Sequence, residues 1–258
     1  MKIQTGLTST EGFNMVEIEK VKDIFKNWND GLVSSYLQGY MGCAEVDDEM
    51  SPKSCRITVG DFAFFAGVPD QRLIETSACP IITAENEAWD ECVERALGDR
   101  VTKSTRYKMK EDSGGFDLKT LSLYINSLDD NFTMKRIDER IYEDVLSSSW
   151  SMDLCSQFKS YDDFHDRGIG FAVYEDAKLV SGASSYVVYD DSIEIEIDTL
   201  KEYRNRKLAL SCGAKLILEC VKRDIYPSWD AIDLRSASLA KKLGYQIDTP
   251  YSVYSVKQ

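Results

Sequence analysis

Two adjoining segments in the last third of the chain have the clearest hydrophobic pattern. Residues 193–199 alternate isoleucine with the acidic side chains of Glu194, Glu196 and Asp198, and a period of two is typical of a β-strand with one apolar face. Between positions 210 and 221, apolar residues recur at spacings of three and four, which is the pattern of an amphipathic helix. The pattern therefore predicts a strand whose polar face carries three carboxylates, followed by a long helix.

A basic turn joins this strand to the helix. It reads Arg204-Asn205-Arg206-Lys207. Unpaired N–H groups at a helix N-terminus and the positive end of the helix dipole attract anions, and the turn adds three cationic side chains. The turn therefore predicts a site for a phosphate or pyrophosphate. The alternative is an ordinary strand–helix connection with solvated basic residues.

The first half of the chain predicts mixed α and β structure without a motif that carries chemistry. The spacing predicts helices over residues 15–27, 30–40, 84–97 and 117–128 and β structure over 54–67 and 102–110. Residues 42–53 are acidic but lack the ligand spacing of a calcium loop, and they predict a solvated loop. The short polar segment 129–131 is the expected boundary between an N-terminal mixed α/β domain of unclear role, residues 1–129, and a C-terminal domain, residues 130–258.

Three motifs in the C-terminal half resemble the GNAT superfamily of N-acetyltransferases. The turn 204–209 resembles the loop Arg/Gln-x-x-Gly-x-Gly/Ala, which binds the pyrophosphate of acetyl-CoA, with Lys207 at the glycine position. Residues 233–245 are similar to the family segment Asn-x-x-Ser/Ala that ends in Leu-Gly-Phe/Tyr. The run Pro-Ser-Trp-Asp-Ala at 227–231 resembles the subgroup related to the zwittermicin-resistance acetyltransferases.

The resemblance implies the GNAT acyl-CoA N-acyltransferase fold for the C-terminal domain. This α/β (α+β) fold has a mixed, mostly antiparallel sheet flanked by helices. The expected order is a strand at 132–137, helices at 138–146 and 154–164, a hairpin over 169–189, the acidic strand, the long helix, a strand at 229–232, a short helix at 236–243 and a last strand at 251–256.

The resemblance also implies which residues contact acetyl-CoA. The end of the acidic strand would face the pantetheine arm, the basic turn would hold the pyrophosphate, and two residues of the downstream motif would lie near the cofactor. The residues assigned in this way are Ile197, Asp198, Thr199, Arg204, Asn205, Arg206, Lys207, Leu208, Ala209, Asp233 and Ser236.

Direct attack of an amine on a thioester requires a base that accepts a proton from the ammonium group. Like charges at alternate strand positions raise one another's pKa, so the acidic strand supplies the candidates. Glu196 is the first candidate and Glu194 the second. The alternative is a solvated strand face that carries no chemistry.

The general acid of the family is absent from its usual position. Many family members use a tyrosine where this chain has Ala240. The tyrosines that lie nearby in sequence do not match the motif: Tyr203, Tyr226, Tyr251 and Tyr254. His165 is the single histidine, and its polar surroundings are typical of an exposed loop before a strand.

Composition narrows the classes of protein and partner. A net charge of −13 argues against nucleic-acid binding. Seven cysteines without C-x-x-C spacing and one histidine do not match the usual zinc patterns, so we expect reduced thiols and no metal. The sequence has no signal-peptide core and no apolar run of membrane-spanning length. These features predict a cytoplasmic protein with no membrane partner.

Together these features predict an acetyl-CoA-dependent N-acetyltransferase. It would transfer the acetyl group to a primary amine of a small molecule, such as an amine antibiotic or another metabolite, and an amine of a protein is the alternative acceptor. The second hypothesis is a non-catalytic module of the same fold that binds acyl-CoA or a protein partner in regulation, which the departures at Lys207 and Ala240 favour. A homodimer is compatible with either hypothesis.

Overall fold

The computed structural model describes residues 18–257, and the chain divides into two compact units. The first unit consists of the chain up to Ser104 together with the segment from Ser252 onwards. The second unit is Thr105–Tyr251. None of the helices within residues 18–257 is long and apolar enough to cross a membrane.

The first unit has a small sheet with helices before, between and after its strands. Its elements are α1 (Ile18–Val21), α2 (Gly31–Leu37), β1 (Cys43–Val46), β2 (Ser54–Val59), β3 (Phe62–Gly67), α3 (Gln71–Glu75), β4 (Ile81–Ala84) and α4 (Glu87–Leu97). β1, β2 and β3 pair antiparallel in this order, and β4 pairs parallel with β3. Trp89 of α4 is fully buried in the core, and its Nε1 donates to the Gly67 carbonyl at 2.9 Å.

The second unit also combines β-strands with helices, and it is the larger of the two. Its elements are the end of β5 (Val101–Glu111), α5 (Leu118–Asn126), β6 (Phe132–Arg136), α6 (Glu139–Leu146), α7 (Tyr161–Arg167), β7 (Gly170–Glu175), β8 (Lys178–Tyr189), β9 (Ser192–Thr199), α8 (Leu208–Lys222), β10 (Tyr226–Ala231), α9 (Leu234–Lys242) and the start of β11 (Tyr245–Val256). The strand order runs β5-β10-β9-β8-β7-β6. Only the β9–β10 pair is parallel among the ladders of this series in the described chain. The predicted class, a mixed and mostly antiparallel sheet flanked by helices, is confirmed.

The helices begin where side chains cap their first turns. An Asp, Asn or Ser before α2–α7 and α9 accepts hydrogen bonds from backbone N–H groups of the first turn. These residues are Asp30, Asp70, Asn86, Asp117, Asp138, Ser160 and Asp233. The long helix α8 has no side-chain cap.

Three predicted elements differ from the structure. The predicted helix at 154–164 is wrong in its first half, because Ser160 caps α7 and a 3-10 turn, Met152–Leu154, precedes it. The predicted acidic loop at 42–53 begins as a strand, since β1 pairs with β2 along its whole length. Of the helix predicted at 15–27, residues 15–17 lie outside the described part, and α1 ends at Val21.

The compact units divide at residues 104 and 105, whereas the sequence predicts a boundary after 129. Helix α5 belongs with the second unit because it packs on α8, where Ser211 Oγ donates to the Tyr124 carbonyl at 3.0 Å. The chain from Ser252 onwards belongs with the first unit. An N-terminal domain that ends at 129 stays a prediction about independent folding.

Gly67 is the glycine with the closest backbone approach. Its φ is +85°, and a Cβ atom at this position would lie 2.1 Å from the Lys53 carbonyl oxygen. Gly39 has a similar φ of +80°, but its Cβ would meet only Ile18 Cδ1 at 3.7 Å. We expect Gly39→Ala to cost about 1–2 kcal/mol of unfolding free energy for the left-handed backbone alone.

Gly67→Ala should cost clearly more, on the order of several kcal/mol, because the backbone must also move. Urea unfolding of both variants measures the difference. Equal losses of unfolding free energy would contradict the close approach at Gly67.

Candidate active site

The parallel strands β9 and β10 separate halfway along β9. Their ladder runs from the pair Ser192–Tyr226 to the pair Glu194–Ser228. β9 continues to Thr199 on the β8 side, while the end of β10 pairs with β5. Within the described chain, no ladder joins residues 195–199 to β10. We call this edge of β9, over residues 195–199, the slot.

The two faces of β9 have different surroundings. The isoleucine face packs against α8, and a Cβ at Gly213 would lie 3.0 Å from Ile197 Cδ1. The strand register places Glu194, Glu196 and Asp198 on the other face, together with Asp230 of β10. The polar face predicted from the sequence thus lies beside the slot.

The basic turn leads from the slot into α8. Asn205 and Lys207 both have φ of +65°, and Lys207 is the N-cap residue of α8 in the left-handed region. Lys207 therefore adopts the conformation that favours the family's glycine, at a cost of about 1–2 kcal/mol. The turn therefore has this backbone conformation with lysine at the position of the family's glycine.

The N-terminus of α8 is suited to an anion. No side chain caps it and its first turn has no acidic residue, whereas α2–α7 and α9 each have a capping side chain. Free N–H groups and the helix dipole favour a negative charge there. Arg204, Arg206 and Lys207 are exposed around it.

The two arginines of the turn have different partners. Arg204 Nε donates to the Thr199 carbonyl at 3.3 Å, which ties the turn to the end of β9. The Arg206 guanidinium lies 4.9 Å from the centre of the Tyr203 ring and 3.8 Å from a carboxylate oxygen of Glu175. Arg204 thus links the turn at 204–209 to the strand end at 197–199, and the assignment of these residues to the cofactor stays a prediction.

Asp233 and Ser236 have structural partners at the start of α9. The Asp233 carboxylate accepts from the N–H groups of Arg235 at 2.8 Å and Ser236 at 2.9 Å, and it pairs with the Arg235 side chain. These bonds lower the pKa of Asp233, and the largest contribution comes from the hydrogen bond that the Ser236 N–H donates. Ser236 Oγ accepts from Trp229 Nε1 at 3.1 Å. Their assignment to the cofactor stays a prediction.

Of the two carboxylates Glu196 and Asp198, Glu196 has the larger shift in pKa. Its pKa is raised to about 8, chiefly by burial and then by the negative charges of Asp198 and Asp153, while Arg106 opposes the rise. The pKa of Asp198 is raised to about 6 by burial and by Asp153, and Arg204 lowers it. Glu194 lies deeper, with 7% of its surface exposed. The arrangement can hold a proton near neutral pH beside the slot.

Three residues of this face were not found from the sequence. Asp153 lies in the 3-10 turn that packs against β8 and β9. Arg106 of β5 and Asp230 of β10 form an ion pair, Nε to Oδ1 2.7 Å, with exposed side-chain fractions of 11% and 17%. Tyr251 Oη donates a short hydrogen bond to Asp230 Oδ2. Period-two alternation in 226–231 is the signal that could have indicated Asp230, but nothing local in the sequence pairs it with Arg106.

Two other candidates of the sequence lie elsewhere. Ala240 is fully buried in α9, so the usual acid position holds a core side chain. His165 is exposed as predicted, but it lies in helix α7 rather than in a loop, because Ser160 caps that helix. Its Nδ1 is 3.3 Å from Tyr161 Oη. In residues 18–257, no group of three or more His, Cys, Asp or Glu side chains could hold a metal ion.

Comparison with known proteins places the chain in a family. The model described as GNAT acetyltransferase matches residues 22–254, so the chain belongs to the GNAT acetyltransferase family. This match includes most of the first unit, whereas the sequence motifs cover only the C-terminal half.

Two relatives are similar along nearly their whole lengths. An uncharacterized N-acetyltransferase, YdfB, of Bacillus subtilis is 29% identical over 231 residues, which are 83% of this chain and 85% of that protein. The crystal structure of a GCN5-related N-acetyltransferase-like protein from Streptococcus suis is 39% identical, with a TM-score of 0.89 over 93% of this chain and 98% of that chain. These similarities support acyl transfer as the general activity.

The raised pKa of Glu196 predicts a pH-dependent loss of stability. The folded protein holds the Glu196 proton more tightly than the unfolded chain, so the wild type loses unfolding free energy as pH rises from about 4.5 to about 8. Glu196→Gln has no carboxyl to titrate, and relative to wild type it should gain on the order of a few kcal/mol across this window.

Thermal unfolding at a series of pH values measures this difference, with Glu91→Gln at an exposed position of α4 as the control. The control should follow the wild type at each pH. A Glu196→Gln curve that runs parallel to the wild-type curve would rule out the burial and charge repulsion described here.

Proposed function

We propose that the second unit binds acetyl-CoA along the slot beside β9 and transfers its acetyl group to a primary amine of a small molecule. The observation that carries the proposal is the uncapped N-terminus of α8, which residues 200–207 connect to the end of β9. Membership of the GNAT acetyltransferase family supports the same activity.

The pyrophosphate would lie at the start of α8. Two phosphate charges suit the backbone N–H groups of Leu208 and Ala209 at the helix start. Positive charge is added by the side chains of Arg204 and Arg206, on either side of Asn205, and by Lys207. The pantetheine arm would run along residues 197–199, where the edge of β9 has no strand partner toward β10. Backbone groups there can bind an amide-containing chain as a neighbouring strand would.

Glu196 is our proposed base. It would accept a proton from the acceptor ammonium, after which the amine nitrogen attacks the thioester carbonyl carbon. The C–N bond forms, the C–S bond breaks, and the electron pair of the C–S bond leaves with the CoA thiolate. The nitrogen then loses its second proton, which the thiolate accepts to give the CoA thiol and the neutral amide. A carboxylate with a pKa of about 8 is matched to this task near neutral pH. Glu194 is the second candidate.

The acidic face also suits the acceptor. Glu196, Asp198 and Asp153 interact with one another through their charges, and a cationic amine would relieve their repulsion. A small-molecule acceptor, a homodimer and a cytoplasmic location stay predictions.

The buried Ala240 favours a second candidate function. Without a tyrosine at that position, the fold could serve as a non-catalytic module that binds acyl-CoA or a protein partner in regulation. Turnover separates the two functions. Since a thiol has a reference pKa of about 8.5, the thiolate can also leave without a general acid.

The binding step predicts a specific role for Arg204. Calorimetric titration with acetyl-CoA should give one binding event, and Arg204→Ala should weaken it by about 10- to 100-fold through loss of a charged contact. Lys207→Gly should weaken binding less than Arg204→Ala does, because it removes one positive charge but glycine fits the left-handed conformation of the turn.

The matched control is Arg223→Ala, at the other end of α8, where Arg223 pairs with Glu219 at 2.6 Å. It should bind as the wild type does. Unchanged affinity in Arg204→Ala would remove the turn from the cofactor site.

The proposed role of Glu196 as the base predicts how turnover depends on pH. With an amine substrate found by screening, activity should rise with pH and level off above about 8, because Glu196 must lose its proton. Glu196→Gln should lose this rising limb of the pH profile, and its kcat should fall by about 100-fold or more. Asp153→Asn should move the limb to lower pH, since it removes a negative charge that raises the pKa of Glu196.

Acetyl-CoA affinity of each variant serves as the control for folding of the site. A Glu196→Gln enzyme with the wild-type pH profile would show that another group accepts the proton.

A further inference from the structure

The two units have the same order of elements. The first runs α1-α2-β1-β2-β3-α3-β4-α4, followed by β5. The second contains α6-α7-β7-β8-β9-α8-β10-α9, followed by β11. When the 3-10 turns are left aside, nine helices and strands therefore match in type and order.

The strand pairings match as well. β1, β2 and β3 are antiparallel neighbours and β4 is parallel to β3. In the second series, β7, β8 and β9 are antiparallel neighbours and β10 is parallel to β9. A parallel pair requires a crossover connection, which is α3 in the first series and α8 in the second. The likeness therefore extends from element order to topology.

The last strand of each series belongs in part to the other unit. β5 follows α4 in sequence, but its residues 107–109 pair antiparallel with β10 in the second unit. β11 follows α9, but Tyr254 and Ser255 pair antiparallel with β4 in the first unit. Each series thus supplies the strand that stands next to the parallel strand of the other.

We infer that this chain is an internal duplication of one fold. The cofactor slot of the first copy is closed, so the chain binds a single acyl-CoA, in its second copy. The inference rests on the proposed function for the identity of the ligand. The closure of the first copy rests on its own contacts.

The strand edge that is open in the second copy is paired in the first. The β3–β4 ladder extends from Phe62–Ile81 to Phe65–Ala84, and the Glu85 N–H then donates to the Phe65 carbonyl at 3.0 Å. Beyond it, the Gly67 N–H donates to Glu85 Oε2 at 3.0 Å. The Gly67 carbonyl accepts from Trp89 Nε1. Side chains of the first copy thus occupy the backbone groups that a pantetheine arm would need.

The helix after this strand is also unsuited to a pyrophosphate. α3 has five residues, and the Asp70 carboxylate caps it by accepting from the Arg72 N–H at 2.9 Å. The carboxylate occupies the place where an anion would bind and would repel a phosphate. The corresponding helix of the second copy, α8, has fifteen residues and no capping side chain.

The first copy has a role in the second unit through its last strand. β5 supplies Arg106, which pairs with Asp230 on the sheet face that carries Glu196. This contribution gives a physical reason to retain a copy whose own slot is closed.

Hydrogen–deuterium exchange of the full chain, read by mass spectrometry with and without acetyl-CoA, tests the inference. Acetyl-CoA should slow exchange by about tenfold or more in peptides that cover 195–211 and leave peptides over 62–75 and 81–90 unchanged. Without ligand, the Gly67 and Glu85 amides should already exchange slowly because both donate hydrogen bonds. Calorimetry should give one acetyl-CoA per chain.

Ligand-dependent protection in both regions, or two acetyl-CoA per chain, would overturn the single-site inference while the proposed function stands. If acetyl-CoA protects neither region, the proposed function fails. The ligand-free exchange then decides about the first copy: slow Gly67 and Glu85 amides support its closure, and fast ones overturn it. Asp70→Ala serves as a control variant, since removal of the cap alone should not create a second site.

Discussion

The candidate site depends on one constraint, the end of the parallel ladder between β9 and β10 at Glu194 and Ser228. Up to that pair, the strands satisfy each other's backbone groups. Past it, β9 remains paired with β8, while β10 pairs with β5. Buried backbone groups need hydrogen-bond partners, so the open edge favours either water or an extended ligand. The acidic face, the basic turn and the start of α8 all take their positions from this separation.

The elements that carry the site could be predicted because their signals are local. Alternation over 193–199 fixes a strand with a carboxylate face, and the apolar spacing after 208 fixes the helix. The turn between them is short enough for a motif to identify it. Even the conformation at Lys207 follows from this logic, since the family's glycine marks a left-handed residue. The sequence pattern could not show that α8 would lack a capping side chain.

The surroundings of Glu196 could not be predicted because they depend on register and long-range pairing. Asp153, Arg106 and Asp230 come from three segments that are distant in sequence, and only the order of the strands brings them to one face. The predicted boundary after residue 129 differs from the division of the compact units at residues 104 and 105 for a related reason. A polar segment marks a loop, but it carries no information on which sheet a flanking strand will join, and β5 joins the second unit.

A comparison of the two copies shows which stabilising contacts are absent where the slot is open. In the first copy, Glu85 and Trp89 satisfy the end of β3, and Asp70 satisfies the start of α3, so the strand edge and the helix end contribute to stability. In the second copy, the start of α8 has no capping side chain, Lys207 adopts a left-handed conformation, and Glu196 is held where its charge is disfavoured. Local destabilisation of this kind is typical of functional sites. It persists here because the surrounding ladders of β8, β9 and the buried face of α8 determine the backbone independently.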